Sequence, residues 1–286
     1  MFSARWPGDR QNEVDLQCLM AAGEDPHVYQ ASPRDAEAIA QAQLVLYNGY
    51  GYETSILKLI QNSQSQGAKV AVAEVAVPKP LMMDEHGHDH GHSHSEEKDG
   101  KPVADPHVWQ DAANGIKMTN VVRDRLITVV PGQKTQFTAN AQAYTTRLSA
   151  LDRWIKAQTA TIPPKNRKLV TTHEAFGYFA AAYGLEVEGA LMGVSTENET
   201  SPGRLQELIS DIRATGVPTI FAEATGNNKL MKAIAQDARV ALASTPLFPE
   251  GAGAQGSGAE TYLDSLRVNT TAIVTGLGGQ LTPFPE

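Results

Sequence analysis

There is one cysteine, Cys18, in the whole chain of 286 residues. No disulfide can form within it, so its stability has to come from a packed core. No apolar run approaches the roughly 20 residues that a membrane-spanning helix needs. The opening, "MFSARWPGDRQNEV", has neither an apolar signal core nor a small-residue cleavage site. As written, the sequence predicts a soluble chain that carries no export address of its own. An excess of positive charge is also missing. Lys and Arg number 24 against 32 Asp and Glu, a formal net charge of −8, which argues against nucleic acid or an anionic membrane as partner. The short motifs of common catalytic centres are absent too: there is no HExxH, no nucleophile elbow and no GxGxxG phosphate loop.

What remains is an ordinary globular composition. With 41% hydrophobic residues the chain can build a sizeable core, and its length suits two domains. Short β-type runs recur: "VDLQCLM" (14–20), "LVLYN" (44–48), "KVAVAE" (69–74), "KLVTT" (168–172), "EVEGAL" (186–191), "TIFAE" (219–223) and "RVALA" (239–243). In the first of these, Cys18 reads as a small buried hydrophobe rather than a reactive thiol. Helical patterns separate the runs. "SPRDAEAIAQA" (32–42) and "SPGRLQELISDIRATG" (201–216) both open with an N-cap serine and a proline at the first helical position. Strands alternating with helices predict βαβ units and parallel sheets.

One stretch breaks the alternation. From Lys134 to Thr161 a single apolar stripe (Phe137, Ala141, Tyr144, Leu148, Leu151, Ile155) recurs at three- and four-residue steps, and "IPPKNR" stops it. A helix of that length spans about 40 Å at 1.5 Å per residue. The pattern predicts an α/β protein of two lobes, each a mainly parallel sheet flanked by helices, joined by one long stiff helix. The expected division is 1–133 for the first lobe, 134–161 for the linking helix and 162–286 for the second lobe.

The eight histidines are unevenly placed. Five alternate in "DEHGHDHGHSH": His86, His88, His90, His92 and His94. They lie in the one low-complexity stretch, about 78–106, whose polarity predicts a mobile loop. The other three are His27 in "DPHVY", His107 in "DPHVW" and His173 in "THEAF". Asp-Pro disfavours helix at the aspartate and makes a turn, so His27 and His107 belong to rigid loops. His173 follows "KLVTT" at the carboxyl end of a predicted parallel strand, beside the crevice where open α/β sheets bind ligands. A lone histidine is more often a hydrogen-bonded structural residue than a ligand, but three in such settings suit a zinc site with room for a carboxylate.

"DPHVYQASPRD" (25–35), "NGYGYE" (48–53), "DPHVWQDA" (105–112), "THEAFGYFAAAYGL" (172–185) and "FAEATGN" (221–227) together resemble, in order, the motifs of the zinc/manganese class of periplasmic substrate-binding proteins that feed ABC importers. The resemblance runs from about Gly8 to the C-terminus, and the His-rich loop ahead of the second DPH is similar to that of the zinc-uptake branch. It implies that His27, His107 and His173 bind the metal. Manganese members usually have a carboxylate where His173 stands, so this nitrogen donor implies zinc. The family's fourth ligand is an aspartate before a Gly-rich turn. Here "TPLFPEGAGAQGSGAETY" (245–262) puts Glu250 in that place, and either Glu250 or water completes the site. Family members also have an opening strand and helix ahead of "PGDRQNEV", so the first sheet is expected to expose an edge.

The resemblance further implies a monomer in the periplasm or at the cell surface. Its partners are the membrane permease of an ABC importer and a zinc metallochaperone, and Zn²⁺ is the bound ion. Glu223 is expected to be structural rather than a ligand. Asp25 and Asp105 are expected to form turns, with orientation of the rings as the alternative role. The loop histidines supply weak accessory sites for capturing or sensing metal. Three other readings stay open: a manganese or iron transporter component of the same fold, a zinc-dependent hydrolase whose fourth metal position is water, and a metal-buffering or adhesion protein with no importer.

Overall fold

A computed structural model of the chain describes residues 14–83, 102–197, 200–226 and 228–285. The His-rich run, His86 to His94, lies outside the described residues. The first half opens with an irregular segment leading into α1 (Pro33–Gln41), then β1 (Leu44–Tyr47), α2 (Thr54–Asn62), β2 (Ala68–Ala71) and α3 (Val72–Ala76). β1 and β2 pair in parallel from Leu44↔Ala68 to Tyr47↔Ala71. A two-residue antiparallel ladder, β3 (Met82–Met83) against β4 (Val103–Ala104), closes the base of the His-rich segment. α4 (Ala112–Val129) and α5 (Lys134–Thr159) follow.

The second half is strand-rich: β5 (Lys168–His173), α6 (Gly177–Tyr183), β6 (Glu186–Met192), α7 (Pro202–Thr215), β7 (Thr219–Ile220), α8 (Asn228–Ala238), β8 (Ala241–Leu242) and α9 (Tyr262–Gly276). β5 pairs in parallel with β6, and β7 with β8. β7 runs beside β5, tied by Phe221 N–H donating to the Val170 carbonyl at 2.9 Å. From Leu169 to His173 every residue of β5 is buried, as a central parallel strand covered by helices requires. Among the described residues no helix is long and apolar enough to cross a membrane.

Local chemistry sets the helix ends. The Ser32 hydroxyl accepts from Asp35 N–H while the Asp35 carboxylate accepts from Ser32 N–H, a reciprocal cap on α1. Ser201 caps α7, Pro202 starts it, and Gly216 ends it in the left-handed region at φ 64°. α5 occupies the stretch expected of the long helix. Its stripe is half-exposed at Phe137 and fully buried by Leu148, Leu151 and Ile155. Burying each such side chain stabilises the fold by about 2 kcal/mol. Those residues join one continuous core that runs from Val70 and Val72 through Val108 and Met118 to Phe176, Phe179 and Ile273. The two lobes share apolar packing, and a shared close-packed core resists wide hinge opening.

Several expectations need correction. Residues 14–20 form no strand. Leu16 is 58% exposed, and with no strand beside it among the described residues the alternation of apolar residues gives only an irregular segment. Cys18 is exposed there rather than buried. The run 69–74 ends as a strand at Ala71 and turns helical at Val72. The run 219–223 keeps two strand residues, and Glu223 makes an isolated parallel bridge with Leu247.

Candidate metal centre

Three separate pieces of backbone deliver the three histidines. His27 lies in the turn ahead of α1, where the Asp25 carboxylate accepts its backbone N–H at 3.0 Å. His107 ends the second Asp-Pro turn, just before a single 3-10 turn (Val108–Gln110) that leads into α4. The Asp105 carboxylate accepts its N–H at 2.9 Å, and the Asn48 amide donates to the Pro106 carbonyl at 3.0 Å. His173 is the last residue of β5. All three rings are buried.

They converge. His107 Nε2 lies 3.3 Å from His27 Nε2 and 3.4 Å from His173 Nε2. A tetrahedral ion with metal–nitrogen bonds of 2.0–2.1 Å places its donors about 3.3–3.4 Å apart. Glu250, on the loop after β8, puts Oε1 3.2 Å from His173 Nε2 with its side chain 5% exposed. One donor atom from each of His27, His107, His173 and Glu250 lies within 4.8 Å of the others, a set that can hold a single metal ion. Glu250 Oε1 is buried without a hydrogen bond. A buried carboxylate oxygen facing ring nitrogens is satisfied by a cation or by a proton on one of those rings.

The far side of each ring decides which nitrogen is free. Asp105 Oδ1 lies 2.8 Å from His107 Nδ1, and Glu223 Oε2 lies 2.6 Å from His173 Nδ1. Each carboxylate accepts the Nδ1 proton and turns the Nε2 lone pair inward, the arrangement that orients and strengthens metal-binding imidazoles. Asp105 therefore both forms its turn and orients a ring, which goes beyond the turn role expected of it. Asp25 forms its turn and accepts the Thr196 hydroxyl at 2.6 Å. Glu223 pairs with His173 Nδ1, on the side of the ring away from the other histidines' Nε2 atoms. The signal for that partner was the placement of both at parallel strand ends.

The electrostatics of the metal-free site are uneven. Burial holds His27 down to about 3, helped by the neighbouring imidazoles, although Glu250 opposes this. Burial also disfavours a charged His173, but Glu223 and Glu250 on its two sides outweigh burial and raise it well above the ordinary histidine value. Burial pushes Glu250 up, yet its contact with His173 and the imidazole charges hold it well below the usual carboxylate range. The two groups thus favour opposite charges across the 3.2 Å between His173 Nε2 and Glu250 Oε1, where a metal ion would go.

Sequence reasoning missed Tyr52. It belongs to a loop made possible by left-handed backbone at Gly49 (φ 96°), Tyr50 (φ 54°) and Gly51 (φ 73°). Its hydroxyl donates to Glu250 Oε2, and its ring meets His27 edge-on at 4.9 Å. The hydroxyl and spacing of "NGYGYE" were legible, but nothing local paired residue 52 with residue 250.

The fold and this cluster define a class, the two-lobed metal-binding proteins that serve ABC importers. Comparison with known proteins agrees. Residues 10–276 match the family model described as zinc-uptake complex component A, periplasmic, and the chain belongs to that family. It is 35% identical over 271 residues to the zinc-binding protein TroA of Treponema pallidum, covering 93% of this chain and 83% of that one. The solved structure of TroA superposes with a TM-score of 0.81 at 34% identity, covering 93% and 92% of the two chains. The manganese-binding lipoprotein MntA of Halalkalibacterium halodurans is 32% identical over 259 residues, covering 91% and 80%. The manganese ABC transporter substrate-binding lipoprotein PsaA of Streptococcus mitis is 29% identical over 270 residues, covering 93% and 83%.

The chain is thus a metal-binding solute-binding protein of an ABC importer, working outside the cytoplasm with permease and ATPase components. The family is a transporter component and not an enzyme, which removes the hydrolase reading.

Proposed function

We propose that this protein binds Zn²⁺ tightly as cargo, through Nε2 of His27, His107 and His173 and Oε1 of Glu250, and hands it to the importer's permease in the periplasm. The observation that carries this reading is the spacing of the three Nε2 atoms, 3.3 and 3.4 Å, around a buried carboxylate oxygen with no hydrogen bond. Three nitrogens and one oxygen suit zinc, whereas manganese prefers more oxygen. With residues 1–133 and 162–286 as the lobes and 134–161 as the linking helix, the ion pins the lobes together. The protein works as a monomer, with the permease and a zinc metallochaperone as its partners.

The His-rich segment adds weak, interchangeable sites at His86, His88, His90, His92 and His94. The β3–β4 ladder at its base supports this role, because β4 leads directly into Asp105 and His107. Tethering ligands there raises the local zinc concentration beside the cleft.

Titration of zinc into the wild type and His173→Ala tests the site. Wild type is expected to show one tight site. If four ligands share the roughly 10–16 kcal/mol typical of protein zinc sites, loss of one costs about 3 kcal/mol, on the order of 100-fold in affinity. An unchanged tight site in His173→Ala refutes the assignment.

A further inference from the structure

Tyr52 belongs to the buried core, and its ring is explained by that packing. Its ring is buried and wedged between His27 at 4.9 Å and Trp109 at 4.9 Å. Such a ring packs equally well as phenylalanine, so the hydroxyl is what needs explaining. It donates to Glu250 Oε2. The other oxygen of that carboxylate, Oε1, faces His173 Nε2 at 3.2 Å and has no hydrogen bond. The two oxygens of Glu250 are therefore in different situations: one is engaged by a tyrosine and the other is left for the ion.

The Glu250 loop is fixed from its other end as well. Trp109 Nε1–H and the Gln110 amide both donate to the Pro249 carbonyl, at 2.9 and 2.7 Å. The loop that carries Tyr52 is held by Glu53 Oε1 accepting from Asn48 N–H at 2.6 Å. With backbone and Oε2 both held, the carboxylate has little freedom to turn both oxygens toward the cleft.

We infer that Tyr52 is a specificity-determining residue: by holding Glu250 Oε2 it restricts this ligand to one metal–oxygen bond, and so selects ions content with four donors over larger ions that want more oxygen. This deepens, and rests on, the proposed zinc site. A carboxylate can bind a metal through one oxygen or two, and coordination number separates tetrahedral zinc from octahedral, oxygen-rich manganese. Glutamate on its longer arm can swing to two-oxygen binding once released, so the tyrosine and the glutamate act as a unit. Tyr52 touches the ligand and not the ion, and its role is positioning.

The test is Tyr52→Phe, which keeps the ring and removes only the hydroxyl. Wild type and variant are loaded with Co²⁺ as a spectroscopic stand-in, and Zn²⁺ and Mn²⁺ affinities are measured by competition. Wild type should give the intense visible bands of a four-coordinate ion. The variant should give the weaker bands of higher coordination, with the zinc-to-manganese affinity ratio lowered on the order of tenfold. A variant with the wild-type cobalt spectrum and ratio overturns the inference. So does one that loses affinity for both ions equally, because a packing defect does not discriminate between metals. Matching thermal melts of the two metal-free proteins confirm that the fold is intact, and a destabilised variant is replaced by Tyr52→Met, which also lacks the hydroxyl and must likewise lower the ratio. Failure of wild type to take up one equivalent of zinc would instead remove the proposed site itself, a result separable from any behaviour of the variant.

Discussion

Changing the pH should move zinc affinity by an amount set by His173. In the metal-free protein this ring lies between Glu223 Oε2 at 2.6 Å and Glu250 Oε1 at 3.2 Å, and the two carboxylates raise it well above 6.5 despite its burial. The shift favours a proton on this ring, which zinc must expel. His27 is already neutral, held at about 3 by burial, and contributes no proton. One proton released per ion makes affinity rise tenfold per pH unit, about 1.4 kcal/mol. The gain from His173 holds while pH stays below its raised folded pKa and levels off above it.

The sign for the fold is opposite. A raised histidine pKa stabilises the metal-free protein fully below the unfolded value of 6.5, and that contribution is lost as pH rises through the folded value. Metal-free melts should therefore weaken with rising pH through this group while zinc binding strengthens. Calorimetric titration in buffers of different ionisation enthalpy counts the released protons directly. Binding at pH 7 with no proton release and a flat affinity between pH 6 and 8 would refute the reasoning.

Three further predictions follow from other contacts. Glu223→Gln keeps the shape but removes the charge facing His173 Nδ1, and zinc affinity should fall about 10–100-fold by competition titration, with a smaller proton release. Leu148→Ala empties a fully buried position on α5, and urea unfolding should show a loss of about 2–5 kcal/mol without change in zinc stoichiometry. Deletion of residues 84–98 should leave the single tight site intact and abolish weaker binding, which equilibrium dialysis across a range of zinc concentrations can resolve.

Much of this protein was legible in its sequence because the deciding physics is local. Ser32 with Pro33 and Ser201 with Pro202 mark helix starts through caps that involve neighbours three residues away. The apolar stripe of α5 repeats every three or four residues, and the helix runs Lys134–Thr159. Two Asp-Pro-His turns and a strand-end histidine singled out three residues of the cluster, and only the family resemblance put Glu250 in the fourth place. Local pattern failed at residues 14–20, where strand propensity has no strand to pair with among the described residues and Cys18 is exposed.

Tertiary packing alone decided the rest. The meeting of His27, His107, His173 and Glu250 joins residues up to 223 positions apart in number, from 27 to 250, and no periodicity reports such a distance. Glu223 finds His173 because β7 runs beside β5, and Tyr52 finds Glu250 because a shared core presses the two lobes together. Sequence supplied donors and rigid turns; the closeness of those donors, and which oxygen or nitrogen each leaves free, follows from how buried surfaces pack and which polar atoms are already satisfied.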